Sequence, residues 1–433
     1  MSTNILKKKS VSINFSSYLK SLILLMKPRV MSLVIFTCAV GLLVSPVKVE
    51  LFDAMISIFF VAVGAGAAGT LNMWYEADLD KLMSRTCLRP IPTGKIEKKD
   101  ALLFGVALSF ISVFGLYYFS NLISASLLLL TIVFYVFVYT VWLKRKTPQN
   151  IVIGGASGAL PPVIGWTIAT NSLTFEPITL FLIIFYWTPS HFWALSLYKA
   201  KDYEKAKIPM LPNTNGVEET KKKIFIYSLF MLPVIILPYY IGFSGKLFLI
   251  ASLVLTIYYN YICYDLLKFK KNKFEVKKAK KVFSYSIFYL FLIFVFPIFF
   301  GFFTMLRSAV ELRGAEFLWA SDLSSPDTIA TLAGFPINIM PLLMTATMFL
   351  QMRLQPPSPG MDPTQQAMMK YMPLMFVVFF YSASSGLCLY WTVQNVLTII
   401  QTKLTKVDPE ADGKGNTQVE VIPPNKKRKR TVF

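Results

Sequence analysis

The chain of 433 residues holds a single histidine, His191, so it cannot build a metal centre from two or three imidazoles. Its four cysteines, Cys38, Cys87, Cys263 and Cys388, show no paired spacing, which implies neither a zinc site nor a disulfide framework. Charged residues are scarce at 15%, against 55% hydrophobic and 15% aromatic, and that balance excludes an ordinary soluble domain. Negative charge is the scarcer sign: 23 Asp and Glu stand against 44 Lys and Arg, a net charge of +21. Nucleic acid is not the implied partner, because the basic residues lie in short runs between apolar segments, as loop charges of a membrane protein do. The basic end (Lys426, Lys427, Arg428, Lys429, Arg430) reads as a cytoplasmic anchor for the same reason. The N-terminus has lysines but lacks a short apolar core with a small-residue cleavage site. It reads as a cytoplasmic tail and not as a removed signal peptide. No convincing internal repeat supports a transporter.

What the chain has in abundance is apolar runs of about 17–25 residues, each long enough to cross a bilayer as a helix. They lie near 30–46, 53–73, 101–119, 121–142, 151–170, 177–198, 224–242, 246–267 and 283–304, with further ones near 337–352, 370–384 and 386–402. The expectation is an all-α polytopic membrane protein. Loops alternate between basic (Lys7–Lys9, Arg85 to Lys95, Lys144–Lys146, Lys199–Lys223, Lys268–Lys281) and nearly uncharged, and the positive-inside rule puts both termini in the cytoplasm. Pro161–Pro162 should break or kink the fifth segment. Gly64, Gly66, Gly69, Gly154, Gly155 and Gly158 permit close helix approach in lipid, with packing and function both open as their reason.

The scarce acids concentrate at the end of the second segment. In Asn72–Gly94, NMWYEADLDKLMSRTCLRPIPTG, positions 72, 76 and 80 fall one helical turn apart on one face, while Asp78 points away. Asn72, Glu76 and Asp80 thus form a hard-oxygen set at the mouth of a membrane helix, of the kind Mg²⁺ accepts with retained waters and a phosphate-bearing substrate. A polar loop that merely caps the helix is the plainer alternative. Arg85 and Arg89 follow at once. A second polar cluster spans Trp187–Pro212: His191 inside an apolar segment, then Lys199, Lys201 and Asp202 where that segment reaches the same side. Lysines there, with Lys144 and Arg145 from a third loop, would hold a diphosphate and take up charge on a leaving group. For His191 a functional role and a hydrogen-bonded structural one are both open.

Four stretches, KPRV (Lys27–Val30), NMWYEADLDKLMSRTCLRP (Asn72–Pro90), TPQNIVIGGASGALPPVIGW (Thr147–Trp166) and WTPSHFWALSLYKAKDYEKAKIPMLP (Trp187–Pro212), occur in an order that resembles the UbiA-type intramembrane prenyltransferases. The likeness is to the branch that farnesylates haem B, and it covers residues 20 to about 296. It implies about nine transmembrane helices around a central cavity, farnesyl diphosphate and haem B as substrates, haem O as product, and Mg²⁺ as cofactor. The catalytic set it implies is Asn72, Glu76, Asp80 and Asp202, the first three ligating the metal. The substrate-binding set is Arg85, Arg89, Lys144, Lys199, Lys201 and His191. Glu76 stands where the family more often has Asp, and the second loop carries only Asp202, so a second metal-ligating pair is not visible. Beyond the lipid bilayer, haem A synthase or oxidase assembly factors are the partners implied.

Past residue 297 the likeness changes. PIFFGFFTMLRSAVELRGAEFLWASDLSSPDTI (Pro297–Ile329), MDPTQQAMMKYMPLMFVVFFY (Met361–Tyr381) and SSGLCLYWTVQNVLTIIQ (Ser384–Gln401) resemble the YidC/Oxa/Alb insertases. This implies a prenyltransferase domain over 1–296, about three insertase-type helices over 297–404, and a basic cytoplasmic tail over 405–433. The join is either a natural fusion or a reading frame joined from two genes. Membrane-protein insertion by the C-terminal fragment is the alternative function.

Overall fold

A computed structural model describes residues 15–83, 86–269, 274–308, 313–332, 334–354, 371, 373–378 and 380–404. Arg85, the N-terminal lysines and the expected tail over 405–433 lie outside the described residues. The chain divides into two compact units, Met1–Thr304 and Met305–Phe433.

Every regular element described in the first unit is a helix. Helix α1 (Phe15–Leu25) and α2 (Pro28–Leu43) meet at a 53° bend. Pro28 begins α2, and Lys27 before it takes the left-handed conformation, φ 56°, which interrupts the helix. Then come α3 (Leu51–Tyr75), the single turn α4 (Ala77–Asp80), α5 (Lys98–Phe119) and α6 (Leu122–Val133). They are followed by α7 (Asn150–Ala159), α8 (Pro161–Thr170), α9 (Phe175–Lys205), α10 (Leu211–Thr214), α11 (Val217–Tyr240), α12 (Lys246–Lys268) and α13 (Phe274–Ser308). Among the described residues seven spans are long and apolar enough to cross a membrane, eight if the bent α1–α2 pair is one span. The α7–α8 pair counts as one of them, interrupted at Leu160 just before the two prolines.

Side-chain placement matches a lipid solvent. On α5, Leu103, Phe110, Phe114 and Tyr118 make an exposed stripe at helical spacing, whereas Ala101, Gly105, Ser112 and Leu116 are buried. Small residues set how closely the helices pack. A Cβ on Gly165 of α8 would lie 1.9 Å from the Cys38 carbonyl oxygen of α2, and one on Gly41 of α2 would lie 1.9 Å from that of Pro162. Two glycines therefore bring backbone against backbone where α2 and α8 cross.

From Phe134 to Leu143 the continuation of α6 is a π-helix, where an ordinary α-helix was expected. Its wider turn shows in the Lys144 N–H donating to the Tyr139 carbonyl at 2.9 Å, five residues back. The run Phe-Tyr-Val-Phe-Val-Tyr-Thr-Val-Trp-Leu is aromatic and β-branched, so its preference for the α-helical turn is weak.

In the second unit, helix Ile339–Leu354 packs on Ser385–Leu404, and the expected segment between them is only partly described. A two-stranded antiparallel hairpin, β1 (Thr328–Leu332) and β2 (Phe335–Asn338), precedes them and is an exception to the all-α expectation. Gly334, at φ 83°, supplies its turn. Asp327 caps the following helix, its Oδ2 accepting from the backbone N–H groups of Ile339 at 3.0 Å and Met340 at 2.6 Å.

Candidate active site

Asn72 sits in the last turn of α3, Glu76 follows the end of that helix, and Asp80 closes α4. The helix is irregular at Glu76, yet the backbone bonds Glu76 N–H to Asn72 O (3.0 Å) and Asp80 N–H to Glu76 O (2.9 Å) carry the one-turn spacing through the break. The three side chains are therefore stacked, and all three are buried.

Each of the three is engaged by a different cation. Lys27 donates to Asn72 Oδ1 at 2.5 Å. Lys144 pairs with Glu76 at 2.5 Å. Arg89 binds both Asp80 carboxylate oxygens, at 2.9 and 2.8 Å. Local structure explains each placement. The left-handed turn at Lys27 directs it onto α3. The π-helix ends at Lys144 and also aims Thr140, which accepts from Asn72 Nδ2 at 3.0 Å and donates to the Tyr135 carbonyl at 2.8 Å. Thr86 Oγ1 donates to the Asp80 carbonyl at 3.0 Å, and the Arg89 N–H to the Thr86 carbonyl at 3.0 Å, which fixes the turn carrying Arg89.

Asp78 points outward and forms a two-pronged pair with Arg145 at 3.0 and 3.1 Å. Partial burial pushes its carboxyl up, but the Arg145 bonds outweigh that and hold it below the usual carboxylate range.

These groups line a cavity of about 730 Å³ whose polar head is Lys27, Asn72, Glu76, Asp80, Arg89 and Lys144. Smaller apolar spaces of about 280 and 120 Å³ adjoin it, sharing Val30 and Tyr135 as walls. Among the described residues no cluster of three His, Cys, Asp or Glu side chains poised to hold a metal is found. Two carboxylates and an amide at the head of a large cavity nonetheless suit Mg²⁺, which takes few protein carboxylates and completes its shell with water and phosphate oxygens. Charge agrees in sign: Lys27, Arg29, Arg89 and Lys144 line the cavity with Glu76 and Asp80, an excess of positive charge that suits a magnesium ion bound with a diphosphate ester, together one net negative.

Other expected site residues lie elsewhere. Lys199 and Lys201 are exposed near the end of α9 and do not line the cavity; Asp202 is half-buried beside them and also off its wall, whereas Tyr203 lines it. His191 is stacked between Trp187 (centroids 4.2 Å apart) and Phe283 (4.6 Å), and its Nδ1 is bonded to Ser286 Oγ at 2.6 Å. That packing leaves Trp187, and not the imidazole, on a cavity wall. Lys27, Tyr135, Tyr139 and Thr140 were not among the expected site residues. Lys27, Pro28 and Arg29 stand together between apolar runs, but nothing in that pattern directs Lys27 onto Asn72.

The model of the UbiA prenyltransferase family matches residues 33–279, and that of the 60Kd inner membrane protein matches 267–411. Over 282 residues the chain is 71% identical to the Protoheme IX farnesyltransferase of Pelagibacter ubique (strain HTCC1062), covering 65% of this chain and 92% of that one. It is 51% identical over 270 residues to Protoheme IX farnesyltransferase 2 of Mesorhizobium japonicum, covering 62% and 86%. Among solved structures, a digeranylgeranylglyceryl phosphate synthase shares the fold with a TM-score of 0.56 at 18% identity, covering 65% of this chain and 98% of that one.

Proposed function

The chain belongs to the UbiA prenyltransferase family, and from that membership we propose that it transfers the farnesyl group of farnesyl diphosphate to a vinyl group of haem B, giving haem O. The observation that carries this is the set of three cations stacked on Asn72, Glu76 and Asp80 at the head of a large cavity that adjoins two apolar spaces.

Lys27, Lys144 and Arg89 are placed to hold the diphosphate and to take up negative charge as the carbon–oxygen bond to farnesyl breaks. Asn72, Glu76 and Asp80 would hold Mg²⁺, which when bound offsets charge on the leaving diphosphate. Breaking that bond leaves an allylic cation. The terminal vinyl carbon of haem B supplies the electron pair for the new carbon–carbon bond, and positive charge passes to the inner vinyl carbon. Water adds there and loses a proton, giving the alcohol of haem O. The apolar walls below the head keep water from the allylic cation until the carbon–carbon bond has formed. Thr140 orients Asn72 so that its amide oxygen, and not its nitrogen, faces the site.

The protein is integral to the membrane. The alternation of basic and uncharged loops supports a reading in which the active-site head and both termini face the cytoplasm at a bacterial inner membrane. An apolar product of this kind suits direct transfer to haem A synthase or an oxidase assembly factor. The test is conversion by the purified chain in lipid nanodiscs: haem B, farnesyl diphosphate and Mg²⁺ should yield haem O by chromatography and mass spectrometry. Chelation of Mg²⁺ should stop it, and absence of product with all three present would sink the assignment.

A further inference from the structure

Two apolar lobes open off the polar head, and they differ in shape and lining. The smaller, about 120 Å³, runs down α3 past Gly69, Ala68, Ala65 and Gly64 to a floor of Val61 and Ile164. Its α3 wall above Val61 has no side chain larger than methyl, and among its described lining residues Tyr135 is the single aromatic. The larger, about 280 Å³, lies between α2, α7 and α9. It is walled by Tyr139, Trp187 and Phe192 and faced by Gly154, Gly155 and Gly158. Tyr139 already packs on Gly154 and Thr188 on Gly155, so the open part of the face is at Gly158, where a Cβ would meet nothing within 4 Å and which borders the smaller lobe as well.

Resting on the transferase function above, we propose that the lobe along α3 seats the farnesyl tail and the lobe between α2, α7 and α9 seats the porphyrin. Val61 and Ile164 then close the lobe at farnesyl length, and the small side chain of Ala65 part-way down lets the tail pass. Depth supports the first assignment. Val61 lies three turns below Asn72, about 16 Å at 1.5 Å per residue. An extended farnesyl chain of twelve main-chain carbons reaches roughly 15 Å when carbon–carbon bonds of about 1.5 Å zigzag. A flexible branched chain needs only narrow apolar volume, which the small-residue wall provides. A planar macrocycle gains from flat partners, and Trp187 and Phe192, with the open space at Gly158, supply them. Val30 and Tyr135 border both lobes and the head, so the two substrates would meet beneath the diphosphate.

Two variants test the division. Ala65→Leu puts a good helix former's side chain into the narrow lobe. Thr188→Met enters the wide one; the Thr188 hydroxyl bonds only to the Ile184 carbonyl of its own helix, so its loss strands no side-chain partner. With the full chain in nanodiscs and Mg²⁺ present, Kd is measured for farnesyl and geranyl thiolodiphosphates, and for haem B from the Soret band. Ala65→Leu should weaken the farnesyl analogue at least about tenfold, while shifting the geranyl analogue and haem B less than about threefold. Thr188→Met should do the reverse, weakening haem B at least about tenfold and sparing farnesyl. The proposal is overturned if Ala65→Leu weakens haem B and spares farnesyl, weakens both prenyl lengths alike, or changes nothing. Failure of the transferase function shows separately, as a wild-type chain that binds both ligands with this pattern and forms no haem O. A wild-type chain that binds no farnesyl analogue overturns both.

Discussion

Asp80 and Asp78 lie two residues apart and give the sharpest test of the site. The Asp80 side chain is 4% exposed and gripped by Arg89, whose own side chain is 24% exposed. Asp78 is 59% exposed and paired with Arg145 at the surface. Removing one partner of a buried pair costs about 3–5 kcal/mol. Asp80→Asn keeps an acceptor for a partly exposed Arg89, so the loss of stability should fall near the bottom of that range, about 3 kcal/mol or less. The catalytic loss should be larger. If Asp80 holds Mg²⁺ as proposed, losing its charge forfeits several kcal/mol of transition-state stabilisation. About 4 kcal/mol corresponds to roughly a thousandfold in rate at 1.36 kcal/mol per factor of ten. For Asp78→Asn an exposed pair contributes at most about 1 kcal/mol, so turnover should stay within about fivefold of wild type. The assay is single-turnover haem O formation in nanodiscs, with thermal melts alongside to separate folding from chemistry. Turnover by folded Asp80→Asn within tenfold of wild type, or an equal fall for Asp78→Asn, would refute the metal-site assignment.

Other outcomes follow from the packing and the topology. Gly165→Val should leave little folded protein, because its Cβ would meet the Cys38 carbonyl backbone, which cannot give way without parting α2 from α8; normal expression and melting would contradict that crossing. In intact cells an impermeant thiol reagent should label Thr174→Cys and not Gln149→Cys, since these exposed residues sit at opposite ends of the α7–α8 span; labelling of Gln149→Cys alone would reverse the orientation. A chain ended after Thr304 should retain haem O formation, because the relatives' likeness lies within the first unit; loss of activity in a membrane-inserted truncation would give the second unit a supporting role. The full chain should fail to restore membrane-protein insertion in insertase-depleted cells, since the 60Kd inner membrane protein match begins only at residue 267 and the helices before it are those of a prenyltransferase, which leaves a hydrophilic groove without a wall; rescue that disappears on deleting Met361–Gln401 would show a bifunctional protein.

The membrane helices were legible because length and apolarity suffice to define them. The stacking of Asn72, Glu76 and Asp80 was legible because a spacing of four residues survives even an irregular turn. Sequence did not give the direction in which α9 presents its last residues. Lys199 and Lys201 emerge near the right end of the bundle, but helix rotation turns them outward, and rotation is set by partners on α7 and α11 that no local pattern names. Lys27 was hidden for a different reason: a lysine in the left-handed region is uncommon, and only tertiary contact selects it. The π-helix was equally hidden, since nothing in an aromatic and β-branched run distinguishes a wider turn from an ordinary one. The Thr328–Asn338 hairpin is short and mostly exposed, too brief to give a clear alternating pattern.

The cation placement has a consequence for how substrate must bind. Without ligand, Lys144 and Arg89 each face a buried carboxylate, and Lys27 faces the Asn72 amide oxygen. A divalent ion arriving alone would displace all three and leave them crowded and unpaired, which is costly in a buried site. A diphosphate arriving alone would draw the cations away and leave Glu76 and Asp80 as bare buried carboxylates. Only the two together let every charge exchange one partner for another: carboxylates from ammonium and guanidinium to metal, cations from carboxylate to diphosphate. Binding of Mg²⁺ and of the prenyl diphosphate should therefore be strongly cooperative. By linkage, each should tighten the other by the same factor. On the proposed function the three basic residues would have two roles in succession, holding the acids in register before substrate arrives and holding the leaving group afterwards.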